Sequence, residues 1–402
     1  MPWTLRMTLY SFLIALVPYC YIGWRLTNAL SLIFPQPAKL IRIIIIVFFL
    51  CLNLFPIISL LSFFTDSTRD LFINNHELTI GDYLIYFPFW LGIILMIELF
   101  PYFIATDVLQ LSIKFFLKHL YEIWSKWLAL FKVGLFVFFL VYVAMRSYLD
   151  TNTIKTITHD LQIKKIPESL KDLSLLFIAD LQVDRYTQEA KINRFMNQVR
   201  QNKSDIVLFS GDLITRGTDY IAQGLDVLCT IPSNTERIAC LGDHDFWADA
   251  AAISQGLKNC GWTFLDNEHH IIPYKGAKIL ITGVTYIYSK RISSEQLQRL
   301  LNSAPSADLK ILLVHQPAEI ILRAAEQCGY HIVLAGHTHG GQVVFKPFGF
   351  NLTPTQFENT FYSGVGKLHN LNIVVTNGIG LSLIPLRYQA PAEIMKINIK
   401  KE

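Results

Sequence analysis

The stretch IVLAGHTHGG, residues 332–341, joins a short apolar run to two histidines that are set between glycines. Four consecutive apolar residues that end at a glycine predict a buried β-strand. His337 and His339 follow this strand directly, and the glycines beside them allow the backbone to turn sharply. The stretch therefore predicts a strand that delivers two imidazoles to one edge of a sheet.

Six further apolar runs in the second half of the chain resemble this one and alternate with helical patterns. Together they predict seven buried strands, at residues 173–179, 206–210, 237–241, 279–284, 311–314, 332–335 and 373–376. Alternation of strands with helices is typical of an α/β domain. We therefore expect an α/β domain over residues 163–402.

Polar residues of the kinds that bind metals follow five of these strands. They are Asp180 and Gln182, Asp212, Asp243 and His244, His315, and His337 and His339. In open α/β folds, ligand sites lie at the carboxyl ends of strands. Each residue alone also fits a structural role, such as a helix cap for an aspartate. Their joint placement at strand ends instead predicts one functional site.

The chemistry that this set of residues suits is metal-dependent hydrolysis. Mixed carboxylate and imidazole ligands favour Mn, Fe, Zn or Ni over Mg or Ca. Two such ions about 3.5–4 Å apart, bridged by one carboxylate, polarise a phosphoryl oxygen and activate a water molecule as hydroxide. A neighbouring histidine can stabilise the developing charge or protonate the leaving group. We therefore expect two divalent ions as cofactors, with Mn, Fe or Zn favoured.

The chain resembles the calcineurin-like metallophosphoesterase superfamily, in its membrane-associated bacterial branch. The resemblance covers residues 173–399 and is carried by GHTHGGQ at 336–342, VHQP at 314–317, NGIG at 377–380 and LIPLR at 383–387. It implies a two-sheet β-sandwich flanked by helices, in four αββα layers, with the metals at one edge.

The resemblance also implies a role for each polar residue at the strand ends. The first metal would be bound by Asp180, Gln182, Asp212 and His339. The second metal would be bound by the bridging Asp212 and by Asp243, His315 and His337. The catalytic histidine would be His244.

Three positions depart from the family pattern. Gln182 stands where the family has histidine, and its amide oxygen is the weaker ligand, so we expect a looser first metal. Asp243 stands where the family has asparagine, and its added negative charge favours a tighter second site and harder ions such as Mn or Fe. Thr215 replaces an aspartate that orients the catalytic histidine in many relatives. Asp184, which is close in sequence, is a candidate for that role.

Residues 1–150 hold the long apolar runs of the chain. Four of them reach the roughly 20 residues that cross a bilayer, at 7–24, 40–64, 83–106 and 128–148. Local kinks are predicted at Pro18, Pro56, Pro88 and Pro101. Between the last two runs, residues 108–127 place apolar residues, two tryptophans among them, on one helical face and lysines on the other, which predicts an amphipathic helix at the membrane interface. Glu98, inside the third run, is either functional or paired with a neighbouring helix.

Lysine and arginine are concentrated in the first and third loops between these runs, whereas the second loop carries Arg69 beside acidic residues. This distribution predicts that loops one and three face the cytoplasm. With four spans, everything after residue 150 then lies outside the cytoplasm, on a bacterial inner or cell membrane.

The six cysteines form no CxxC pair, which argues against a zinc ribbon. Two lie in apolar runs, and an extracytoplasmic domain would permit pairing among the other four, Cys229, Cys240, Cys260 and Cys328. Isolated buried thiols are the favoured prediction.

The main hypothesis is a membrane-anchored dimetal phosphoesterase that acts on phosphodiesters or pyrophosphates. Its expected partners are the bilayer and a phosphoester substrate, which includes lipid-linked phosphoesters. The alternative is a catalytically impaired membrane sensor that binds metal or phosphate, which Gln182 and Thr215 favour. A transporter is disfavoured because the spans show no inverted repeat. The net charge of +4, without a basic stripe, argues against a nucleic-acid partner. The substrate and the oligomeric state stay open.

Overall fold

The computed structural model describes residues 3–34, 36–65, 77–232 and 236–402. The chain divides into two compact units. The helical unit comprises Met1–Leu149, Val344–Leu352 and Leu383–Tyr388, and the sheet unit comprises Asp150–Val343, Thr353–Ser382 and Gln389–Glu402. The sequence pattern assigns the two short segments to the α/β domain, whereas the structure groups them with the helical unit. Arg69 and its acidic neighbours in the second loop lie outside the described residues.

The helical unit contains five α-helices among the described residues. They are α1 (Trp3–Ile33), α2 (Ala38–Leu52), α3 (Leu54–Thr65), α4 (Phe87–Phe116) and α5 (Tyr121–Asn152). A π-helical turn at Asp82–Tyr86 precedes α4, and a 3-10 turn at Lys118–Leu120 precedes α5. Three described stretches are long and apolar enough to cross a membrane, at Leu5–Ile33, Asp82–Phe116 and Lys118–Asn152.

The pair α2 and α3 is bent by 55° and adds a fourth span if the two helices cross the membrane as one. The bend falls at Asn53, three residues before Pro56. Proline has no N–H to bond the carbonyl four residues earlier, so a regular helix does not continue through this point. The kink expected near Pro56 is therefore present. The other three prolines lie within or at the start of α1 and α4: Pro18, Pro88 and Pro101.

The separate interfacial helix predicted for residues 108–127 is wrong. Residues up to Phe116 continue α4, and α5 begins at Tyr121 after a break at Leu117. The N–H of Leu117 bonds the carbonyl of Ile113 at 2.8 Å, where α4 ends. A spacing of three to four residues is common to all α-helices. It therefore does not distinguish a helix lying in the membrane plane from the adjoining ends of two spanning helices.

Glu98 has a structural partner within the helical unit, in a loop segment and not in a neighbouring helix. Its side chain is buried, and Oε2 accepts a hydrogen bond from the backbone N–H of Lys346 at 3.3 Å. One turn further along α4, the hydroxyl of Tyr102 accepts a bond from the N–H of Phe348, and the two rings lie 4.8 Å apart. Helix α4 therefore holds the segment Val344–Leu352 by polar and aromatic contacts.

The sheet unit is built on two mixed sheets of six strands each. The first has the order β1 (Lys155–Ile163), β12 (Glu393–Lys401), β2 (Ser174–Ile178), β3 (Ile206–Phe209), β4 (Glu236–Ala239) and β5 (Thr263–Phe264). The second has the order β10 (Gly364–Leu368), β11 (Leu371–Val375), β9 (Ile332–Ala335), β8 (Leu309–Val314), β7 (Ala277–Val284) and β6 (Glu268–Tyr274). Strands are present at all seven predicted positions, and the α/β class is confirmed.

Apolar side chains pack these elements together in three clusters. One cluster contains residues of both sheets, such as Phe177 and Ile281. The second joins the first sheet to α6 (Glu189–Gln201), α7 (Ile221–Cys229) and α9 (Ala250–Asn259). The third joins the second sheet to α10 (Ser294–Asn302) and α11 (Glu319–Gln327). Because the inner strands are buried on both faces, their apolar runs are continuous, and this packing fixes where each strand ends.

The prediction of isolated thiols is wrong for one pair of cysteines. Cys229 and Cys260 form a disulfide, with Cα atoms 5.5 Å apart. Cys229 is the last residue of α7 and Cys260 caps the end of α9, so the packing of the two helices brings the thiols together. Their separation of 31 residues in the chain carried no sign of this. Cys240 and Cys328 are free thiols.

Reduction of this disulfide should destabilise the sheet unit. Closing a loop of this length lowers the entropy of the unfolded chain, which corresponds to about 3–4 kcal/mol. The full chain with Cys229→Ser and Cys260→Ser should therefore unfold at a lower temperature in detergent, measured by scanning calorimetry. Cys328→Ser, which removes a free thiol, is the matched control. Equal unfolding temperatures for all three proteins would contradict the prediction.

Candidate metal centre

The structure brings all eight predicted site residues to the carboxyl ends of strands. They are Asp180 and Gln182 after β2, Asp212 after β3, Asp243 and His244 at the start of α8 (Asp243–Ala248), His315 after β8, and His337 and His339 after β9. The ligand atoms of two groups lie within 4.8 Å of one another: Asp243, His315 and His337, and Asp180, Asp212 and His315. His339 Nε2 is 3.8 Å from Asp180 Oδ1, and His244 Nε2 is 3.9 Å from Asp212 Oδ2.

Five of these residues adopt a backbone conformation that side chains other than glycine rarely occupy. Their φ angles are 51° for Asp180, 41° for Gln182, 58° for Asp212, 70° for His337 and 51° for His339. Each such residue costs on the order of 1 kcal/mol or more, and persists only where the surroundings over-determine it. The strand ends are therefore shaped to aim these side chains, at a cost in stability.

Two glycines permit the loops to approach one another. A Cβ atom on Gly242 would collide with the carboxylate of Asp212, and a Cβ atom on Gly336 would collide with that of Asp180. No larger residue fits at either position without displacing a carboxylate. The close approach of these loops thus explains why a glycine precedes both Asp243 and His337.

His315 lies at the centre of the site and is held in one tautomer. Its Nδ1 lies 2.8 Å from the carbonyl oxygen of Ser210, which can only accept, so Nδ1 carries the proton. Nε2 then points into the site, 3.3 Å from Asp212 Oδ2 and 3.5 Å from Asp243 Oδ2. A backbone carbonyl that fixes the far nitrogen is the usual support for a metal-binding histidine.

Gln182 presents its amide oxygen to the site. Its Nε2 donates to Asp212 Oδ2 at 3.2 Å, which settles the orientation of the amide. Oε1 is then buried without a hydrogen-bond partner among the described residues, and the same holds for Nε2 of His315. Oε1 has a free lone pair, and so does Nε2 in the neutral tautomer of His315, as a metal ligand requires. These residues therefore fit a divalent ion.

Asp243 contacts residues from three other loops. Its Oδ2 lies 3.1 Å from His337 Nδ1 and accepts a bond from Gln316 Nε2 at 2.7 Å. Its Oδ1 accepts from the backbone N–H of Tyr288 at 2.6 Å. The Tyr288 hydroxyl in turn lies 3.3 Å from His337 Nε2. This carboxylate is thus fixed by two donors while one oxygen still faces the imidazoles.

The buried carboxylates give the site an electrostatic environment that favours cations. Burial, together with the charge of Asp212, raises the pKa of Asp180 to about 6. Burial also opposes ionisation of Asp212, but His315 and His244 hold its pKa well below the usual range. Against the effect of burial, the carboxylates raise the pKa of His315 well above its usual value. A site that draws protons onto an acid and a histidine together has an excess of negative charge, which divalent ions would neutralise.

Asp245 is a structural member of the site that the sequence pattern did not single out. Its buried carboxylate accepts bonds from the backbone N–H groups of Asp212, Leu213 and Gly242 at 2.8, 2.8 and 2.9 Å. Burial and the charge of Asp212 raise its pKa to about 7. It ties the loop after β3 to the loop after β4. The available signal was the spacing Asp243-x-Asp245 at a helix start, where an aspartate commonly binds backbone amides.

His244 is oriented by the main chain of Thr215, and not by a carboxylate. Its Nδ1 makes a short hydrogen bond to the Thr215 carbonyl oxygen, and its ring packs 4.8 Å from that of Trp247. Asp184, the candidate for this role, instead accepts from the N–H groups of Tyr186 and Thr187 at 2.7 and 2.9 Å and closes a turn. The loss of the family's aspartate at position 215 is thus compensated by a backbone carbonyl, which also fixes the tautomer of His244.

Comparison with known proteins agrees with this geometry. The calcineurin-like phosphoesterase family matches residues 173–341. An uncharacterized metallophosphoesterase of Helicobacter pylori is 29% identical over 59% of this chain and 64% of its own length. One of Bacillus subtilis is 23% identical over 63% and 88%. A Danio rerio protein, described as a transmembrane protein with metallophosphoesterase domain, is 26% identical over 61% and 57%. Residues 173–341 are therefore a calcineurin-like phosphoesterase domain.

The resemblance inferred from the sequence motifs is confirmed by this match. The family consists of metal-dependent phosphoester hydrolases that typically bind two divalent ions. The chain spans less than two thirds of the length of the Helicobacter and Danio relatives. The activity of the whole chain is therefore a matter for proposal.

Removing the Asp245 carboxylate should loosen the site. In Asp245→Asn an NH₂ group replaces one carboxylate oxygen and faces backbone N–H donors, so hydrogen bonds to that oxygen are lost. Hydrogen bonds to a charged acceptor are worth about 1.5–3 kcal/mol each. We expect a lower unfolding temperature and loss of bound metal, measured by calorimetry and by elemental analysis of the purified chain. Asp249→Asn is the control, because Asp249 caps α9 and asparagine caps as well as aspartate. Wild-type metal content in Asp245→Asn would count against this role.

The orphaned oxygen of Gln182 should hold the more weakly bound ion. Gln182→Ala should lower the metal content after dialysis from about two Mn per chain to about one, since a two-metal site loses a ligand of one ion only. Gln255→Ala, at an exposed position on α9, should retain both ions. Unchanged metal content in Gln182→Ala would exclude Gln182 as a ligand.

Proposed function

We propose that the chain is a membrane-anchored phosphoesterase that hydrolyses phosphodiester or pyrophosphate bonds with two divalent metal ions. The observation that carries this proposal is the pair of orphaned atoms inside the carboxylate cluster. Gln182 Oε1 and His315 Nε2 are buried without a hydrogen-bond partner among the described residues. Buried polar atoms are nearly always paired, so an unpaired set of ligand atoms beside three carboxylates supports a metal site.

The chain offers one set of ligands for each ion. We assign the first ion to Asp180, Gln182, Asp212 and His339, and the second to Asp212, Asp243, His315 and His337. When bound, the ions polarise the phosphoryl group and lower the pKa of a water molecule, so that hydroxide forms near neutral pH. The second set has an additional negative charge, because Asp243 stands where the family has asparagine. The first set has the amide of Gln182 in place of the family's imidazole. The second ion is therefore the more firmly held.

We assign the proton transfer to His244. Because its Nδ1 proton is held on the Thr215 carbonyl oxygen, exchange with a substrate falls to Nε2. This nitrogen lies on the side of the ring toward Asp212, at 3.9 Å from Oδ2, and the His244 side chain is 16% exposed. A positioned imidazole of this kind can protonate the leaving oxygen when the phosphoester bond breaks.

Two independent features support an extracytoplasmic domain on a bacterial inner or cell membrane. Lysine and arginine cluster in the loops that would then face the cytoplasm. The disulfide between Cys229 and Cys260 belongs to an oxidising compartment. Helix α5 leads into β1 with two residues between them, so the domain follows directly on a stretch long and apolar enough to cross a membrane. A phosphoester in or near the bilayer, a lipid-linked one included, is therefore the substrate class that we propose.

Hydrolysis of an aryl phosphodiester by the purified full chain in Mn tests this function. Asp212→Ala removes the bridging carboxylate and should abolish turnover, as should chelation by EDTA. His244→Ala should keep its metal but lower kcat by about 10²–10⁴-fold, because only proton transfer is lost. Asp226→Ala, on α7 and outside the site, is the control. Full activity in Asp212→Ala would refute the proposal.

A membrane sensor is the second candidate, because Gln182 and Thr215 both depart from the family's catalytic pattern. The same preparation separates the two functions. About two ions per chain with turnover support the enzyme, whereas one ion or none without turnover supports a sensor that binds metal or phosphate.

A further inference from the structure

Side chains from two loops outside the ligand motifs form a hydrogen-bonded row that ends at His337. Tyr288 lies in the loop between β7 and α10, and Glu358 follows a 3-10 turn at Pro354–Phe357. The Tyr288 hydroxyl makes a short hydrogen bond to Glu358 Oε1. Its oxygen lies 3.3 Å from His337 Nε2, and the two rings pack edge to face with centroids 5.3 Å apart. The two residues are called the Tyr288–Glu358 pair below.

The direction of these hydrogen bonds fixes which nitrogen of His337 carries a proton. A carboxylate oxygen can only accept, so the Tyr288 hydroxyl donates its proton to Glu358. The phenolic oxygen then has only lone pairs to offer to His337, and Nε2 is the donor. In the neutral imidazole, Nδ1 is therefore free of a proton. The Tyr288–Glu358 pair thus selects the tautomer with a lone pair on Nδ1.

Nδ1 is also the nitrogen of His337 that faces the other ligands proposed for the second ion. It lies 3.1 Å from Asp243 Oδ2. Ligand atoms of Asp243, His315 and His337 lie within 4.8 Å of one another. A metal-binding histidine usually donates its far N–H to an acceptor that sets the orientation of the ring. The Tyr288 hydroxyl provides this acceptor for His337.

His337 differs in its support from the other histidines of the site whose tautomer is fixed. His315 and His244 bond backbone carbonyl oxygens. Tyr288 is instead a side chain that is 46% exposed, so its hydroxyl keeps one position only if a further group holds it. Glu358 is that group. The orientation of His337 therefore depends on two side chains in series.

The turn that carries Glu358 is tied to the loop after β9, which contains His337. Thr353 Oγ1 donates to the carbonyl oxygen of Gly341 at 3.3 Å, and the N–H of Glu358 bonds the carbonyl of Thr355 at 3.1 Å. The acceptor for the Tyr288 hydroxyl is thus held by the same loop whose histidine it orients.

Tyr288 holds a second ligand through its main chain. Its backbone N–H donates to Asp243 Oδ1 at 2.6 Å. One residue therefore contacts two ligands of the same ion, His337 through its hydroxyl and Asp243 through its N–H. Because the N–H bond does not depend on the side chain, removal of the hydroxyl alone isolates the contribution of the Tyr288–Glu358 pair.

We propose that Tyr288 and Glu358 are positioning residues for the second metal ion. Glu358 orients the Tyr288 hydroxyl, and the hydroxyl holds His337 with Nδ1 toward the ion. Neither residue is a ligand, and both act through His337. Loss of an outer partner of this kind typically weakens metal affinity by about 10–100-fold. This proposal rests on the two-metal site proposed above, and it explains by orientation, in addition to charge, why the second ion is firmly held.

Titration of the metal-free full chain in detergent with Mn²⁺, followed by the paramagnetic resonance of the free ion, tests this role. The wild type should bind two ions with unequal affinities. Tyr288→Phe keeps the ring and the backbone N–H, and should weaken one ion by about 10–100-fold. Combined with Gln182→Ala, it should weaken both ions. Tyr286→Phe is the matched control, because it removes a hydroxyl from the same loop where the ring packs on Arg291.

Variants of Glu358 test whether the two residues act in series. Glu358→Ala should weaken the same ion as Tyr288→Phe does, and Glu358→Gln, which keeps an acceptor oxygen, should restore most of the affinity. The double variant Tyr288→Phe with Glu358→Ala should bind no more weakly than Tyr288→Phe alone, since both changes act through His337. Turnover of Tyr288→Phe should return to the wild-type kcat at saturating Mn²⁺, because the hydroxyl is not a catalytic group.

Three results would overturn the positioning role: wild-type affinity for both ions in Tyr288→Phe, an equal loss of both ions in that variant, or an additive loss in the double variant. Hydrolysis of an aryl phosphodiester is measured on the same samples. Unaltered Mn²⁺ affinity in Tyr288→Phe beside a wild type that turns over refutes the positioning role alone. Selective weakening of one ion in a chain without turnover refutes the enzyme alone.

Discussion

The sheet unit depends on holding four carboxylates in one buried volume. Asp180, Asp212, Asp243 and Asp245 are each at most 2% exposed, and like charges at such separations oppose folding. Backbone N–H groups offset part of this cost, most clearly the three that bind Asp245. Histidines offset another part. What remains is the negative excess that draws protons onto Asp180 and His315, and divalent ions would neutralise it.

Rigid strand ends make this arrangement possible. Strands β2, β3 and β4 run parallel, as do β7, β8 and β9, so their carboxyl ends deliver neighbouring loops to one edge. The left-handed conformations at Asp180, Asp212 and His337 then turn the side chains inward. Their cost is borne by the packed sheets beneath, in which the inner strands are fully buried. The strained backbone and the buried charge thus both lie at the ends of the packed inner strands.

The same physics explains how far the sequence could predict the structure. Strands buried on both faces are continuous apolar runs, and all seven were recognisable, with their polar ends. Strand β1 is mostly accessible and β5 has two residues, so neither forms such a run. The spacing Asp243-x-Asp245 at a helix start indicates a bond to a nearby backbone amide, but it does not indicate the bonds that Asp245 makes to the distant amides of Asp212 and Leu213. The disulfide depends on the packing of α7 against α9, and the break at Leu117 depends on local hydrogen bonding.

Departures from a family pattern are best judged by what replaces the missing group. At position 215 the aspartate is gone, yet a backbone carbonyl orients His244, so the substitution alone does not indicate an inactive site. At position 182 the amide keeps one lone pair free and uses its NH₂ to bind Asp212. The neutral amide therefore contacts the Asp212 carboxylate while offering an oxygen of its own. These compensations favour the proposed enzyme with unequal metals over a sensor, because both altered positions still supply the contact that an oriented histidine or a bound metal would need.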